Sequence, residues 1–402
     1  MSDPRDEERK VVTFERARRR PDPARVQEFA ETARRLQRER QESADVVARA
    51  LRETPREEWP RLATRPELRN SGALNRLEAE VSTRLEKEPQ EALLISDLAA
   101  SIAETLPPDS YPGVVLAQLR AHAWKDRAQA LAYIGRYPEA LEALDRAERQ
   151  LSFGSLTHDR AIVRYVRALT LQKVNRFEES RELLAECSQV FRDHGDDRRY
   201  LYCGIGEALL LDRTERYRDA YDTLIPLLEV ARSSSDVESE ARIQSNLAHA
   251  AVYLGELNAA NVHLSEAIAR FVDLGKRLEA IRTELAGGRL LLARGQLRLG
   301  IQRLYEARRS FLMHDMVEEA GLSGLEIVEA LLQSGARDDA ARLAEEILGE
   351  LRHIAFNDRA LSALAYLNDA AQASRASVET VRHVRGYIDS LKDDPTREFV
   401  AL

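Results

Sequence analysis

The stretch Ala128-Gln129-Ala130-Leu131-Ala132-Tyr133-Ile134-Gly135-Arg136-Tyr137-Pro138-Glu139-Ala140-Leu141-Glu142-Ala143-Leu144 decides the fold of this chain. Ala128, Leu131 and Ile134 recur at helical spacing, and Gly135 to Pro138 then interrupt the pattern. It resumes with Ala140, Leu141, Leu144 and Ala147 at i, i+1, i+4 and i+7. A glycine at the break supplies the left-handed backbone that ends a helix. The reading is two amphipathic helices joined by a tight turn.

The pattern then repeats at one constant interval, without insertion. Small residues stand at Ala140, Ser180, Ala220, Ala260, Gly300 and Ala340. Four positions later come Leu144, Leu184, Leu224, Leu264, Leu304 and Ala344, and nine positions earlier Leu131, Leu171, Leu211, Ala251, Leu291 and Leu331. Ala128, Ala168, Ala208, Ala248, Gly288 and Val328 form a further small-residue column, and Gly135, Asn175, Glu215, Gly255, Gly295 and Gly335 a turn column. Small residues let paired helices approach closely, and the leucines fill the space between them. One hairpin cannot bury its apolar face alone, so the repeats must stack.

The segment from Trp124 through Ala147 resembles a tetratricopeptide repeat, and Tyr253-Leu254-Gly255-Glu256-Leu257 through Ala267 resembles another. The resemblance covers roughly residues 73–391. It implies an all-α fold, a right-handed α-solenoid of stacked antiparallel helix hairpins. The period, as from Ala140 to Ser180, is longer than the ~34 residues usual in that family. The repeat-ending proline is also missing, with Ser152, Arg192, Arg232, Val272, Leu312 and Arg352 in its place. These departures imply longer helices and longer turns between repeats, as in the tetratricopeptide domains of bacterial signalling and transcriptional regulators.

Outward from the array the pattern loosens. Residues 73–106 read as a divergent first hairpin, and Pro107-Pro108 and Pro112 mark a break before the regular repeats of about 114–352. Residues 357–391 read as a capping hairpin through Leu361, Leu364, Leu367, Val381, Val384 and Ile388, leaving 392–402 as a tail. Residues 24–72 form an N-terminal helical segment, with Val26, Phe29, Ala33 and Leu36 on one face and a short helix start over residues 55–59. Residues 1–23 read as a disordered basic arm.

Composition agrees with long amphipathic helices. Of 402 residues, 44% are hydrophobic, 32% charged and only 6% aromatic, which excludes a β-sandwich, a collagen-like chain or a disulfide scaffold. Sixty Lys and Arg against 68 Asp and Glu give a formal net charge of −8, so the whole molecule is not a general nucleic-acid binder. Cys187 and Cys203 have no metal or redox spacing and read as buried small side chains. The N-terminus is charged from the start, and no stretch approaches a membrane span. The expectation is a soluble, cytoplasmic, reduced protein.

Nothing in the sequence spells a catalytic or cofactor motif. The eight histidines show no ligand spacing, and phosphate loops, dinucleotide fingerprints and nucleophile elbows are absent. Gly287-Gly288 falls at small-residue positions of a first helix, where close packing explains it. Gly204 and Gly206 exceed what the repeat needs, and a hinge or a close ligand approach stands there as the alternative to close packing. Acid pairs such as Glu318-Glu319 read as solvated helix faces. The expectation is a non-enzymatic protein with no cofactor and no metal.

Binding is the remaining function class. The resemblance implies that first helices line a concave groove. Lys125, Lys173, Arg213, Arg242, Arg282 and Arg289 fall on that face against Asp212 and Glu329, opposite in sign to the whole molecule. Gln129, Gln172 and His249 accompany them, with Tyr133, Tyr165, Tyr202 and Tyr253. Arg and Tyr are enriched at binding hot spots, and Arg grips carboxylates through paired hydrogen bonds. Lys125, Gln129, Lys173, Arg213, Arg242, His249, Arg282 and Arg289 are therefore the expected site, and an acidic peptide or protein segment the expected partner. The implied role is a scaffold or adaptor in bacterial signalling or regulation. The alternative is a transcriptional regulator contacting DNA through Arg16, Arg18, Arg19 and Arg20, in a terminal stretch where basic side chains outnumber acidic ones. The sequence does not fix the oligomeric state.

Overall fold

The turn column takes left-handed backbone throughout, with φ of 78° at Gly135, 57° at Asn175, 58° at Glu215, 74° at Gly255 and Gly295, and 81° at Gly335. The N–H one residue later reaches back to the leucine column: Arg136 to the Leu131 carbonyl (2.9 Å), Arg176 to Leu171 (3.0 Å), Arg216 to Leu211 (2.8 Å), Glu256 to Ala251 (2.9 Å). This is the Schellman closure, which satisfies carbonyls a helix end would otherwise leave open. Gly195, Ser235 and Gly275 close the second helices in the same way, with Asp196, Asp236 and Lys276 bonded back to Phe191, Ala231 and Phe271. A turn thus falls at each half-period. From Phe177 to Ala293 the expectation of longer turns between repeats is corrected: three residues join the helices of one hairpin and three join one hairpin to the next, and the added length lies in helices of 17 residues.

The computed structural model describes residues 23–85, 88–152, 157–314, 316–353, 357–391 and 397–402. Among them every regular element is helical and no strand occurs. The chain divides into two compact units, Met1–Val166 and Arg167–Leu402.

The first unit contains α1 (Pro23–Glu53), a single helical turn at Trp59–Leu62, α2 (Ser71–Arg84), α3 (Pro89–Thr105), α4 (Gly113–Tyr133), α5 (Tyr137–Gln150) and the start of α6 (Thr157–Lys173). Leu62, Leu77, Ile95, Ile102, Leu131 and Leu144 are among its fully buried side chains. The helix expected near Val26 is 31 residues long and packs along α2. A Cβ at Gly72 would lie 2.0 Å from the Glu39 backbone oxygen, so only glycine allows that approach. The Glu39 carboxylate accepts from the Tyr111 hydroxyl, the Ser71 hydroxyl and Arg35. Burial raises its pKa, but these donors outweigh burial and hold it below the ordinary carboxylate value.

The second unit continues with α7 (Phe177–Asp193), α8 (Asp197–Arg213), α9 (Tyr217–Ser233), α10 (Val237–Tyr253), α11 (Leu257–Asp273), α12 (Arg277–Ala293), α13 (Leu297–Leu312), α14 (Val317–Gln333), α15 (Arg337–His353), α16 (Asp358–Gln372) and α17 (Val378–Ser390). Sequential helices pair as antiparallel hairpins, and the columns are the core: Leu184, Leu224, Leu264, Leu304 and Ala344 are all buried. A further column, eleven positions after the small one, holds Phe191, Phe271 and Phe311 at the second-helix ends, all fully buried. Glycine permits the tightest approach, since a Cβ at Gly288 would lie 2.5 Å from the Leu304 side chain. Gly204 belongs to the same class: its missing Cβ is replaced by Leu227, 2.3 Å from where it would stand. Packing therefore accounts for Gly204 without a hinge, while Gly206 has ordinary contacts and its carbonyl accepts from the buried Gln172 amide at 3.1 Å.

Candidate functional site

In the second unit the first helices α8, α10 and α12 lie against one another. Equivalent positions on them are a full period apart, yet their side chains meet at a separation of 37, short of that period. A residue on one first helix therefore reaches the next at a position about one turn nearer that helix's N-terminus than its equivalent.

This offset builds a cleft of about 350 Å³ lined by α8, α10 and α12, with Phe271 among its apolar walls. Arg242, His249, Arg282 and Arg289 converge on it, together with Asp212, Ser245 and Asn246. The Arg289 guanidinium donates from Nε (2.8 Å) and Nη2 (2.6 Å) to the two oxygens of Glu326. Burial alone would lower the Arg289 pKa, but Glu326 overrides it and the value is raised. Burial likewise works against the Glu326 carboxylate, and Arg289 outweighs it and holds the pKa below the ordinary value. Arg242 contacts Glu238 at 3.1 Å and Glu279 at 3.3 Å, and Lys276 reaches Glu238 at 3.2 Å.

Smaller groups are also held in place. His249 Nδ1 lies 2.8 Å from Asp212 Oδ1. That carboxylate selects the Nδ1–H tautomer and leaves Nε2 as the acceptor of the neutral ring. The Thr283 hydroxyl donates to the Glu279 carbonyl at 2.7 Å, so in its 3.0 Å contact with Ser245 the serine must be the donor. Tyr217 and Tyr253 stack with centroids 4.4 Å apart, and His249 leans on Tyr253 at 4.9 Å. Burial, then the neighbouring Tyr253, pushes the Tyr217 hydroxyl up to about 12. Asn246 makes no hydrogen bond through its side chain among the described residues, which leaves an amide donor and acceptor in a cleft otherwise pre-bonded.

The expected site residues are thus only partly brought together. Arg242, His249, Arg282 and Arg289 share the cleft. Arg213 donates to the Gln172 carbonyl at 2.9 Å, and Lys173 is exposed at the end of α6. Lys125 and Gln129 belong to the first unit. Lys125 is not an open cation there: its ammonium is buried, 2.7 Å from Asp126 and 3.3 Å from Glu78. Arg16, Arg18, Arg19 and Arg20 lie outside the described residues.

The cationic face expected from sequence is corrected as well. Glu238, Glu279, Glu319 and Glu326 stand opposite its arginines. The loosest pair is Arg282, half exposed and 3.6 Å from Glu319. Among the described residues no group of three or more His, Cys, Asp or Glu side chains is placed to hold a metal ion, and no helix is long and apolar enough to cross a membrane.

No family model and no curated protein matches the sequence. Solved structures do match. Aspartyl phosphate phosphatase F from Bacillus subtilis superposes with a TM-score of 0.54 at 9% identity, over 69% of this chain and 70% of that one. A Signal Transduction ATPase with Numerous Domains protein with a tetratricopeptide repeat sensor, from Pyrococcus horikoshii, gives 0.55 at 13% identity, over 90% of this chain and 53% of that one. The apo form of RapI gives 0.53 at 13% identity, over 87% and 99%. At these identities the likeness is one of fold, and the fold is a tetratricopeptide-like array of helical hairpins.

Proposed function

We propose that this chain is a non-enzymatic interaction module of a regulatory system, binding an extended segment of a partner protein in the cleft lined by α8, α10 and α12. The observation that carries the reading is the state of the polar groups there. His249, Arg289 and Arg242 are already held by Asp212, Glu326, Glu238 and Glu279, so a ligand need not order them, and ordering long side chains is a large part of the cost of binding. Asn246 remains to meet a peptide backbone, since an amide can donate to a carbonyl and accept from an N–H at once. Outside the cleft lining, the stacked Tyr217 and Tyr253 back His249 with a rigid aromatic pair.

Charge selects the segment. Arg289 is committed to Glu326, whereas Arg282 is half exposed and only loosely held. An acidic side chain of the partner would exchange with Glu319 at Arg282, giving preference for a segment with one such residue rather than an acidic run. The tetratricopeptide repeats of the Pyrococcus horikoshii neighbour are described as a sensor, which supports a regulatory setting.

Selection from a random peptide display library tests the reading without a known partner. Selection on the wild-type chain should enrich a common motif with an acidic position, and Asn246→Ala with Arg282→Glu should lose it. Enriched peptides that bind both proteins equally would remove the cleft as the site.

A further inference from the structure

Residues 397–402 do not extend away from the array. They lie against the final hairpin, and side chains from both of its helices hold them. The Arg397 carbonyl accepts from Arg359 Nη1 on α16 (3.0 Å) and from the Tyr387 hydroxyl on α17 (2.8 Å). His383 Nε2 stands 2.7 Å from the Val400 carbonyl and serves as its donor. Phe399 sits among three rings, with centroids 5.3 Å from Tyr366, 5.4 Å from His383 and 4.9 Å from Tyr387, the last edge-on.

This arrangement has the form of peptide recognition. Hydrogen bonds to main-chain carbonyls carry no side-chain preference and fix direction and register. One aromatic side chain in an aromatic cradle supplies the anchor. Arg359 and His383 direct these bonds to the segment rather than to their own hairpin. A stack of hairpins also leaves an apolar face at its last member. Here Phe399 packs against that member's core beside the half-buried Leu361, Ala365 and Tyr366.

We propose that the α16–α17 hairpin is a second peptide-binding site, for an extended segment with an aromatic anchor, and that the chain's own residues 397–402 occupy it in cis. A segment of the same chemistry from outside must displace this occupant. Because the occupant is covalently attached, its effective concentration is in the ~millimolar range, and free peptide competes poorly until the anchor is lost. The site is separate from the cleft of α8, α10 and α12 and does not depend on its function.

The test uses the full chain and the synthetic hexapeptide Arg-Glu-Phe-Val-Ala-Leu, labelled for fluorescence anisotropy. Phe399→Ala removes the attached anchor and leaves the hairpin intact. The variant should bind the peptide one to one and at least about tenfold more tightly than the wild-type chain. Adding His383→Ala to that variant, or replacing the peptide's phenylalanine by alanine, should abolish binding. Absence of binding to Phe399→Ala up to ~1 mM peptide, or equal binding by wild type and variant, would overturn the proposal.

Discussion

Arg289 and Glu326 stand 37 positions apart on successive first helices and meet through two hydrogen bonds of 2.8 and 2.6 Å. The pair ties one repeat to the next beside the cleft, which Arg289 lines. It is the best-formed member of a ladder that includes His249 with Asp212 and Arg242 with Glu279. These contacts hold both the stacking of the repeats and the shape of the cleft.

Glu326→Ala should therefore destabilise the chain by about 2–3 kcal/mol, because it leaves a largely buried guanidinium without its carboxylate. The Arg289 side chain keeps 26% of its exposure, which holds the loss below that of a fully buried pair. Arg289→Met with Glu326→Leu should cost less than the single change, since no charge is then stranded. Urea midpoints of the three proteins decide it. A double variant less stable than Glu326→Ala would contradict the assignment.

Acid should act through the same carboxylates. The Glu326 pKa in the folded chain lies below its ordinary value of 4.5, and Glu238 is lowered as well. As pH falls, the unfolded chain takes up these protons first, so the stability present above the ordinary value is lost as pH drops through the folded values. Tm measured from pH ~6 to ~3 should decline, and Glu326→Gln should show a shallower decline. Parallel curves would contradict a lowered Glu326.

How much of this was legible in the sequence follows from how columns work. Aligning equivalent positions exposed the core leucines, the small residues and the turn residues, because each recurs in the same place. The phenylalanine column at Phe191, Phe271 and Phe311 was open to the same alignment, but Leu151, Ala231 and Leu351 vary its size and hide it. The carboxylates facing Arg242, Arg282 and Arg289 were not open to it. Glu279, Glu319 and Glu326 sit three positions out of register on the next repeat, and Glu238 lies one turn back on the helix of Arg242, so alignment by columns shows the cations and not their partners. The burial of Lys125 was hidden for a related reason, since Glu78 comes from the divergent first hairpin, 47 positions away. The tail against α16 and α17 had no periodic signal at all.

Packing gives a direct check on the closest helix contacts. Gly72→Ala would place a methyl 2.0 Å from a backbone oxygen, and backbone cannot swing aside as a side chain can. It should cost at least ~2 kcal/mol. Leu304→Ala, which empties a fully buried site, should cost about 2–5 kcal/mol. Thermal unfolding followed by far-ultraviolet circular dichroism measures both, and a wild-type Tm for either variant would contradict the packing.

The two thiols should be silent in the native state. Cys187 and Cys203 are both buried, and burial, with the neighbouring Cys187 next, raises the Cys203 pKa. A thiol-reactive disulfide reagent should label neither within the time that labels both in denaturant. Rapid labelling of the native chain would show that α7 and α8 open far more readily than their packing implies.

Calorimetric titration of a peptide selected on the wild-type chain tests the cleft most directly. The titration is run against wild type, Asn246→Ala and Arg282→Glu. Both substitutions touch partly exposed side chains and should leave Tm nearly unchanged. Arg282→Glu should weaken binding by at least ~2 kcal/mol, about thirtyfold in Kd, because attraction to the peptide carboxylate becomes repulsion. Asn246→Ala should weaken it through lost backbone hydrogen bonds, and wild-type affinity should fall as salt rises. Unchanged affinity in both variants would place the interaction elsewhere on the chain and leave the cleft a structural feature of the repeat stack.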